Sequence, residues 1–582
     1  MALINGTNQN DYLYGTDNND VIKGLAGDDN LYGYSGDDNL YGGEGNDKLY
    51  GGKGNDNLYG DLGDDYLNGE EGNNNLYGGA GNDSFYAANS SGNNLLDGGD
   101  GNDELYVYSS TGNNTLKGGS GNDILDIRYS YGKNILDGGS GDDKLYARYS
   151  VGNNTLQGGY GNDYLGVDLS AGNNVLNGGD GNDTLDVSYQ WKGKNIVSGG
   201  NGGDIFDARG VQGTNTLNGD SGDDSFYISS PSADTVVHPL VTQTVDGGAD
   251  NDYLLVDYST AIAGITSSFN TSTNEGLITA DTNQVSYKNI ERLEIKGTGY
   301  NDNIVGGNGN NKLYGGAGND TLTLNRYASG NNILNGGAGD DFVSVDYNYG
   351  TNLLEGGDGN DYLSAVLNYS YAYGGSNTLN GGAGNDILDV RNSYGNNILN
   401  GGTGNDTLYA DSTSGRNILD GGDGDDYLSA TGSNFYAESS IHILNGGAGN
   451  DTLDASGGRG KNTLIGGTGN DALTGGSNED TFVFNNYHEG LDSIYNFGNI
   501  DRIQISAVGF GGGLSPGLLS VSQFVLGTTA TTSTQRFIYD TSTGGLYFDQ
   551  DGSNGGFGQV KFAQFAQLDG ISSLSASNFI VV

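Results

Sequence analysis

The chain has 582 residues, of which 109 are glycine, 3 are proline and none is cysteine, and 73 acidic against 23 basic side chains leave a formal charge of −50. That balance excludes nucleic acid and anionic membranes as partners, since both need basic patches, and the lack of cysteine excludes disulfides and thiol chemistry. Low hydropathy with high charge reads by itself as disorder. The residues nevertheless recur at a fixed spacing, as a solenoid is written in sequence, and the two readings meet if cations complete the charge.

The start, MALINGTNQNDYLYG, has neither a basic region nor a long apolar stretch, so it is not read as a cleavable signal peptide. No run of about 18 apolar residues predicts a membrane-spanning helix. From Gly6 to Tyr86 the period is nine without a slip, with units opening at Gly6, Gly15, Gly24, Gly33, Gly42, Gly51, Gly60, Gly69 and Gly78. Two nonapeptides make a coil, and the leucine at position eight (Leu31, Leu40, Leu49, Leu58) is predicted to point inward. One inward side chain per half-coil is a thin core that needs stacked neighbours.

Over residues 87–229 the coil lengthens to twenty residues, as in GGSGNDILDIRYSYGKNILD at 118–137. The strand after each aspartate lengthens and alternates. Leu125, Ile127 and Tyr129 are predicted to share one face, with Asp126 and Arg128 on the other. Leu145, Ala147, Tyr149 and Leu165, Val167, Leu169 repeat the pattern.

The sixth position of the unit carries the chemistry. Along one edge it reads Asp11, Asp29, Asp47, Asp65, Asp83, Asp103, Asp123, Asp143, Asp163, Asp183, Asp204, Asp224. Along the other it reads Asp20, Asp38, Asp56, then Asn74, Asn94, Asn114, Asn134, Asn154, Asn174, Asn195. Carboxylates stacked about 4.8 Å apart repel without cations, whereas asparagines are neutral and bond to one another. The pattern predicts two rows of cations over residues 1–86 and one row thereafter.

Residues 230–296, which include PSADTVVHPL and AGITSSFNTSTNEGLITADTNQVSYKNIERLEI, break the repeat. They read as a β-rich hairpin excursion with a turn at 274–276. Coils resume over 297–474, with Asp302, Asp320, Asp341, Asp361, Asp386, Asp406, Asp426, Asp451, Asp471 on one edge. The opposite edge carries Asn332, Asn352, Asn377, Asn397, Asn417 and, once, His442. Two longer coils, through SYAYG near Tyr371 and FYAES near Tyr436, are predicted to bulge as surface loops. Residues 475–582 lose the glycine ladder and read as a compact β cap, uncharged after Asp569.

GGEGNDKLY (42–50) and GGKGNDNLY (51–59) fit GGxGxDxUx, with U apolar. On these units the chain resembles the hemolysin-type calcium-binding (RTX) repeat family. The resemblance implies an all-β fold, a right-handed parallel β-roll or β-solenoid, with Ca²⁺ between the turns of successive coils. Its ligands would be the sixth-position aspartates and turn carbonyls, here of Gly42, Glu44, Gly51, Lys53, Gly118, Ser120, Gly138 and Ser140. It also implies export by a type I (ABC) system reading an uncleaved C-terminal signal. The twenty-residue coils and the tail, with FIYD and FDQDG, look like secreted cyanobacterial surface proteins of the oscillin-like kind. The chemistry agrees: a hard ion taking six to eight oxygens suits aspartates and carbonyls, and on the order of 20 such ions offset most of the charge. The asparagine edge departs from the family's repeat, which leaves calcium to the aspartates.

Catalytic signals are incomplete. His238, His442 and His488 are far apart, and His488–Glu489 opens like HExxH with Asp492 in place of the second histidine. Gly513-Leu-Ser-Pro-Gly517 matches G-x-S-x-G without a strand–helix frame. Asp549 and Asp551 suit a hairpin turn or one more calcium. Tyr41, Tyr59 and Tyr77 are predicted to stack on one outer face and Tyr32, Tyr50 and Tyr86 on another, as a ladder or as a sticky face for glycan or self-association. The sequence thus reads as an extracellular calcium-binding roll without catalysis, a cell-surface, fibril or matrix component. Its partners would be calcium, further copies of itself or cell-surface polysaccharide, with no membrane insertion. An adhesin or glycan-binding module acting near Tyr371 and Tyr436 is the alternative. A secreted enzyme with its site in 230–296 or the C-terminal region is a third reading.

Overall fold

The computed structural model describes residues 1–231, 240–367, 375–432 and 440–582. His238, Tyr371 and Tyr436 lie outside the described residues. The remainder falls into two compact units, Met1–Lys296 and Gly297–Val582.

The first unit is a parallel β-solenoid. Its nonapeptide part gives six-residue strands on both sheets, such as Asn39–Glu44, Lys48–Lys53 and Asn57–Leu62. Each pairs in parallel with the strand one coil on, so Leu40 stacks on Leu58 and Leu49 on Leu67. These leucines are fully buried, as position eight predicts. One inward leucine per strand buries too little to hold a lone coil, so stability comes from the stack. Gly119 and Gly121 adopt φ of +116° and +122°, values that glycine takes without strain.

In the twenty-residue coils the two sheets differ. Strands after the asparagines stay six residues long (Thr115–Ser120, Ile135–Ser140), while those after the aspartates shrink to three (Ile124–Asp126, Lys144–Tyr146). The extra residues form a turn rather than a longer strand, which corrects the predicted alternation. Leu125 and Ile127 are buried, but Tyr129 and Tyr149 are exposed and sit at φ 62° and 56°. The left-handed residue swings the next side chain inward, and Ser110, Ser130, Ser150 and Ser170 form a buried row in place of the tyrosines. Asp126 stays buried under an ion pair with Arg128, Nη2 to Oδ2 at 2.6 Å.

The interruption keeps the solenoid's frame. Val241–Asp246 and Tyr253–Asp257 extend the two sheets in parallel. A hairpin of Ile265–Asn270 and Glu275–Ala280 then adds antiparallel to Asn283–Lys288, which itself pairs in parallel with Val241–Asp246. The hairpin turn lies at 271–274, with Asn274 at φ 56°, one step before the predicted place. Gly276 lies inside the strand, where the Tyr287 ring covers it.

The second unit repeats the coil, from Asn303–Gly306 and Asn310–Ala317 onward. Coils continue past residue 474 through Thr481–Phe484, Asp492–Tyr495 and Arg502–Ile505, after the glycine pattern has faded. The end is the β cap. Phe537–Asp540, Gly545–Phe548 and Val560–Phe565 form an antiparallel meander, and Phe579–Val581 pairs with Arg502–Ile505. Its core is aromatic: Phe510, Phe537, Phe548, Phe562 and Phe579 are all buried.

Candidate metal centre

Asp123 shows how a rung is built. The N–H of Asp103 donates to Asp123 Oδ1 at 2.7 Å, and the N–H of Asp123 donates to Asp143 Oδ1 at 2.7 Å. One oxygen of each carboxylate therefore ties its coil to the one before. The other, Oδ2, is buried without a hydrogen-bond partner. The same orphan recurs at Asp29, Asp47, Asp65, Asp83, Asp103, Asp143, Asp163, Asp183, Asp204 and Asp224 on this edge, and at Asp38 and Asp56 on the other. In the second unit it recurs at Asp320, Asp341, Asp361, Asp386, Asp406, Asp426, Asp451 and Asp471. An unpaired buried charge is strongly disfavoured, and its repetition at every inner rung fits a bound cation.

The surroundings of Oδ2 are also oxygen. A Cβ on Gly118 would lie 2.2 Å from Asp123 Oδ2 and 2.5 Å from the carbonyl oxygen of Gly138, so both converge beside the bare glycine. Gly42, Gly51 and Gly118 place their carbonyls the same way toward Gly24, Gly33 and Gly98. The third-position carbonyls are partly engaged. Glu44, Lys53, Ser120 and Ser140 accept from the N–H groups of Gly27, Gly36, Gly101 and Gly121 at 2.7–2.8 Å, which leaves each a second lone pair. Among the described residues no three acidic or histidine side chains converge on one point. An ion on these rows would thus take its charge from the aspartates and fill its shell with carbonyls, a hard-oxygen set suited to Ca²⁺.

Burial, followed by the charge of neighbouring rungs, pushes the carboxyls up: to about 7 at Asp47 and Asp143, and to about 8 at Asp65. The ends of the rows differ. Thr16 donates its N–H at 2.7 Å and its hydroxyl at 2.8 Å to Asp20 Oδ2. The Ala2 N–H, donating to Oδ1 at 2.7 Å, and these bonds hold the Asp20 carboxyl below its usual value. Thr7 caps Asp11 in the same way, and Thr298 donates to both oxygens of Asp302. These three first rungs, predicted as ligands, are satisfied within the chain.

The asparagine edge bonds to itself. Asn114 Nδ2 donates to the Gly112 carbonyl at 3.0 Å and to Asn134 Oδ1 at 2.9 Å, and Asn134 Nδ2 does the same toward Gly132 and Asn154. Asn74, at the changeover, leaves its Nδ2 buried and unpartnered. His442 takes an asparagine's place, its Nδ1 3.1 Å from Asn417 Nδ2. Burial lowers its pKa to about 4, so the ring is neutral and accepts.

Sequence reasoning missed several rungs. Asp252 continues the first unit's aspartate row with an orphaned Oδ2, and its motif GGADND at 247–252 was the available signal. Asn215 and Gln243 extend the amide row. In the second unit Asn311 and Asn462 belong to the amide row, which passes on to Asp480 and Asp501, while Asp492 follows Asp471. Among the other candidates, Glu489 accepts from the Asn485 N–H at 3.1 Å within a turn. Ser515 lies between the short helix Ala507–Phe510 and the two-residue strand Gly517–Leu518, without a nucleophile elbow's frame. Asp549 and Asp551 cap a local turn, accepting from the N–H groups of Asp551 and Gly556. Tyr41, Tyr59 and Tyr77 stack with ring centroids 4.9 and 5.0 Å apart. Tyr32 stacks on Tyr50 at 4.9 Å, but Asn68 stands between Tyr50 and Tyr86 in that row.

The family model for the RTX calcium-binding nonapeptide repeat matches in successive stretches from residue 5 to 227 and again from 295 to 486, more than half of the chain. A comparison with curated proteins gave no match. The matched stretches carry the orphaned carboxylate rows, and the chain belongs to the RTX calcium-binding repeat family.

Proposed function

We propose that this is a secreted structural protein whose coils fold on binding calcium outside the cell, as part of a cell surface, fibril or matrix. The observation that carries the reading is the row of buried, unpartnered Oδ2 atoms at every inner aspartate rung. Calcium bound there would supply the missing positive charge, and the aspartates of successive coils with the turn carbonyls would hold it. No such site exists in an unfolded chain, so binding and folding are coupled. On the order of 20 ions would serve the rows. Export through a type I system and the absence of catalysis belong to the same proposal. A second reading, an adhesin or glycan-binding module, is favoured by the exposed aromatic stripe of Tyr129, Tyr131 and Tyr149.

A calcium titration followed by circular dichroism and electron microscopy tests both readings. Little β structure is expected in chelator at neutral pH, and full β structure in millimolar calcium. Ordered filaments or sheets then support the structural role, and dispersed monomers the binding role. Full β structure in chelator at neutral pH would sink the calcium-coupled reading.

A further inference from the structure

The interruption holds a feature that the calcium rows do not use. A cavity of about 550 Å³ opens among Val241–Asp246 and the three strands of the hairpin insertion, lined by Thr244, Ser268, Phe269, Asn270, Glu275 and Tyr287, among others. Its size suits a small ligand. It lies between the two runs of family matches, so the repeat does not require it.

Tyr287 is the unusual member. Only 3 % of it is exposed, and its hydroxyl is buried with no hydrogen-bond partner. Gly276 faces it across the strand pair, and a Cβ there would lie 2.0 Å from the Tyr287 ring carbon that bears the hydroxyl. The ring covers the bare glycine and packs near Phe269, with centroids 6.2 Å apart. That packing needs the ring and not the oxygen, so phenylalanine would serve it equally. Burying an unpaired hydroxyl costs free energy, and burial holds this phenol in its protonated form. A ligand that accepts from it or donates to it removes the cost.

The charges narrow the ligand. Lys288, the cation at the cavity, is held by Asp246, Nζ to Oδ2 at 2.7 Å. Glu275 and a chain of formal charge −50 repel anions. An apolar guest would leave the phenol and the rim hydroxyls of Thr244, Ser268 and Ser286 unmatched. An aromatic wall beside hydroxyl, amide and carboxylate groups matches the two characters of a sugar ring, an apolar face with hydroxyls at its edge.

We propose that this cavity binds one neutral sugar residue, with the Tyr287 hydroxyl as its buried anchor.

The test uses the full chain with calcium present. Saturation-transfer NMR and calorimetry would be run with methyl glycosides of glucose, galactose, mannose and N-acetylglucosamine, with glucuronate as the anionic control and toluene as the apolar one. At least one neutral glycoside should bind saturably. Tyr287→Phe should weaken it tenfold or more while the melting temperature holds or rises, because an unpaired buried hydroxyl has been removed. Leu277→Trp, at a lining position that is partly exposed, should block binding in a protein that still folds. The proposal is overturned if no neutral glycoside binds, if only toluene or glucuronate binds, if Tyr287→Phe binds as the parent does, or if that variant melts lower without sugar.

Discussion

Each rung carboxylate divides its work between two oxygens, and substitutions can separate them. Asp123 Oδ1 accepts the buried N–H of Asp103, while Oδ2 has no partner. Asp123→Ala removes both and strands that N–H, at a cost of about 1–3 kcal/mol. Asp123→Asn keeps the acceptor and removes the unpaired charge. In chelator, Asp123→Asn should therefore be at least as stable as the parent and Asp123→Ala less stable. In calcium both should bind fewer ions. Denaturant unfolding in the two conditions, with ion counting, checks this. Equal losses for the two variants in chelator would show that Oδ1 is not the structural oxygen.

At the scale of the coil, the two edges are built on opposite hydrogen-bond logic. Asn134 Nδ2 donates to Gly132 O and to Asn154 Oδ1, both at 3.0 Å. Asn134→Asp turns that donor into an acceptor facing two acceptors, and should cost about 3 kcal/mol at pH 7 in chelator. The loss should be smaller at pH 4, where a protonated carboxyl can donate again. Melting temperatures at the two pH values measure it, and a variant as stable as the parent at pH 7 would contradict the self-bonded row. Both rows were legible in the sequence because the change from aspartate to asparagine is a change of chemistry at a fixed position. Tyr129 was not, because alternation says nothing of a left-handed residue that ends the strand early. The coils beyond residue 474 were hidden for a related reason. Their turns lack the repeated glycines, and only Asp480, Asp492 and Asp501 mark the positions. The Tyr287 cavity depends on a three-strand register that no local pattern encodes.

For the whole molecule the rows add up to a dependence on pH that reverses the usual behaviour of acidic groups. In the cation-free protein, burial raises the folded-state pKa to about 6 at Asp123, about 7 at Asp56, Asp103, Asp204 and Asp386, and about 8 at Asp65. The folded chain then binds more protons than the unfolded one between the ordinary carboxylate value and these raised values. Stability falls with rising pH wherever the native state holds the extra protons. Their contribution is fully present below the unfolded pKa near 3.8 and is lost as pH rises through about 6 to 8. Protonation at acid pH and calcium at neutral pH are two ways of removing the same buried charge. In chelator, β structure should therefore persist near pH 4 and melt progressively toward pH 8. Saturating calcium should flatten the profile, with apparent calcium affinity rising across the same window as protons leave. Thermal melts by circular dichroism from pH 4 to 8, with and without calcium, decide the matter. A chelated protein that grows more stable from pH 5 to 8 would mean that its aspartate rows are neutralised by something other than protons or calcium.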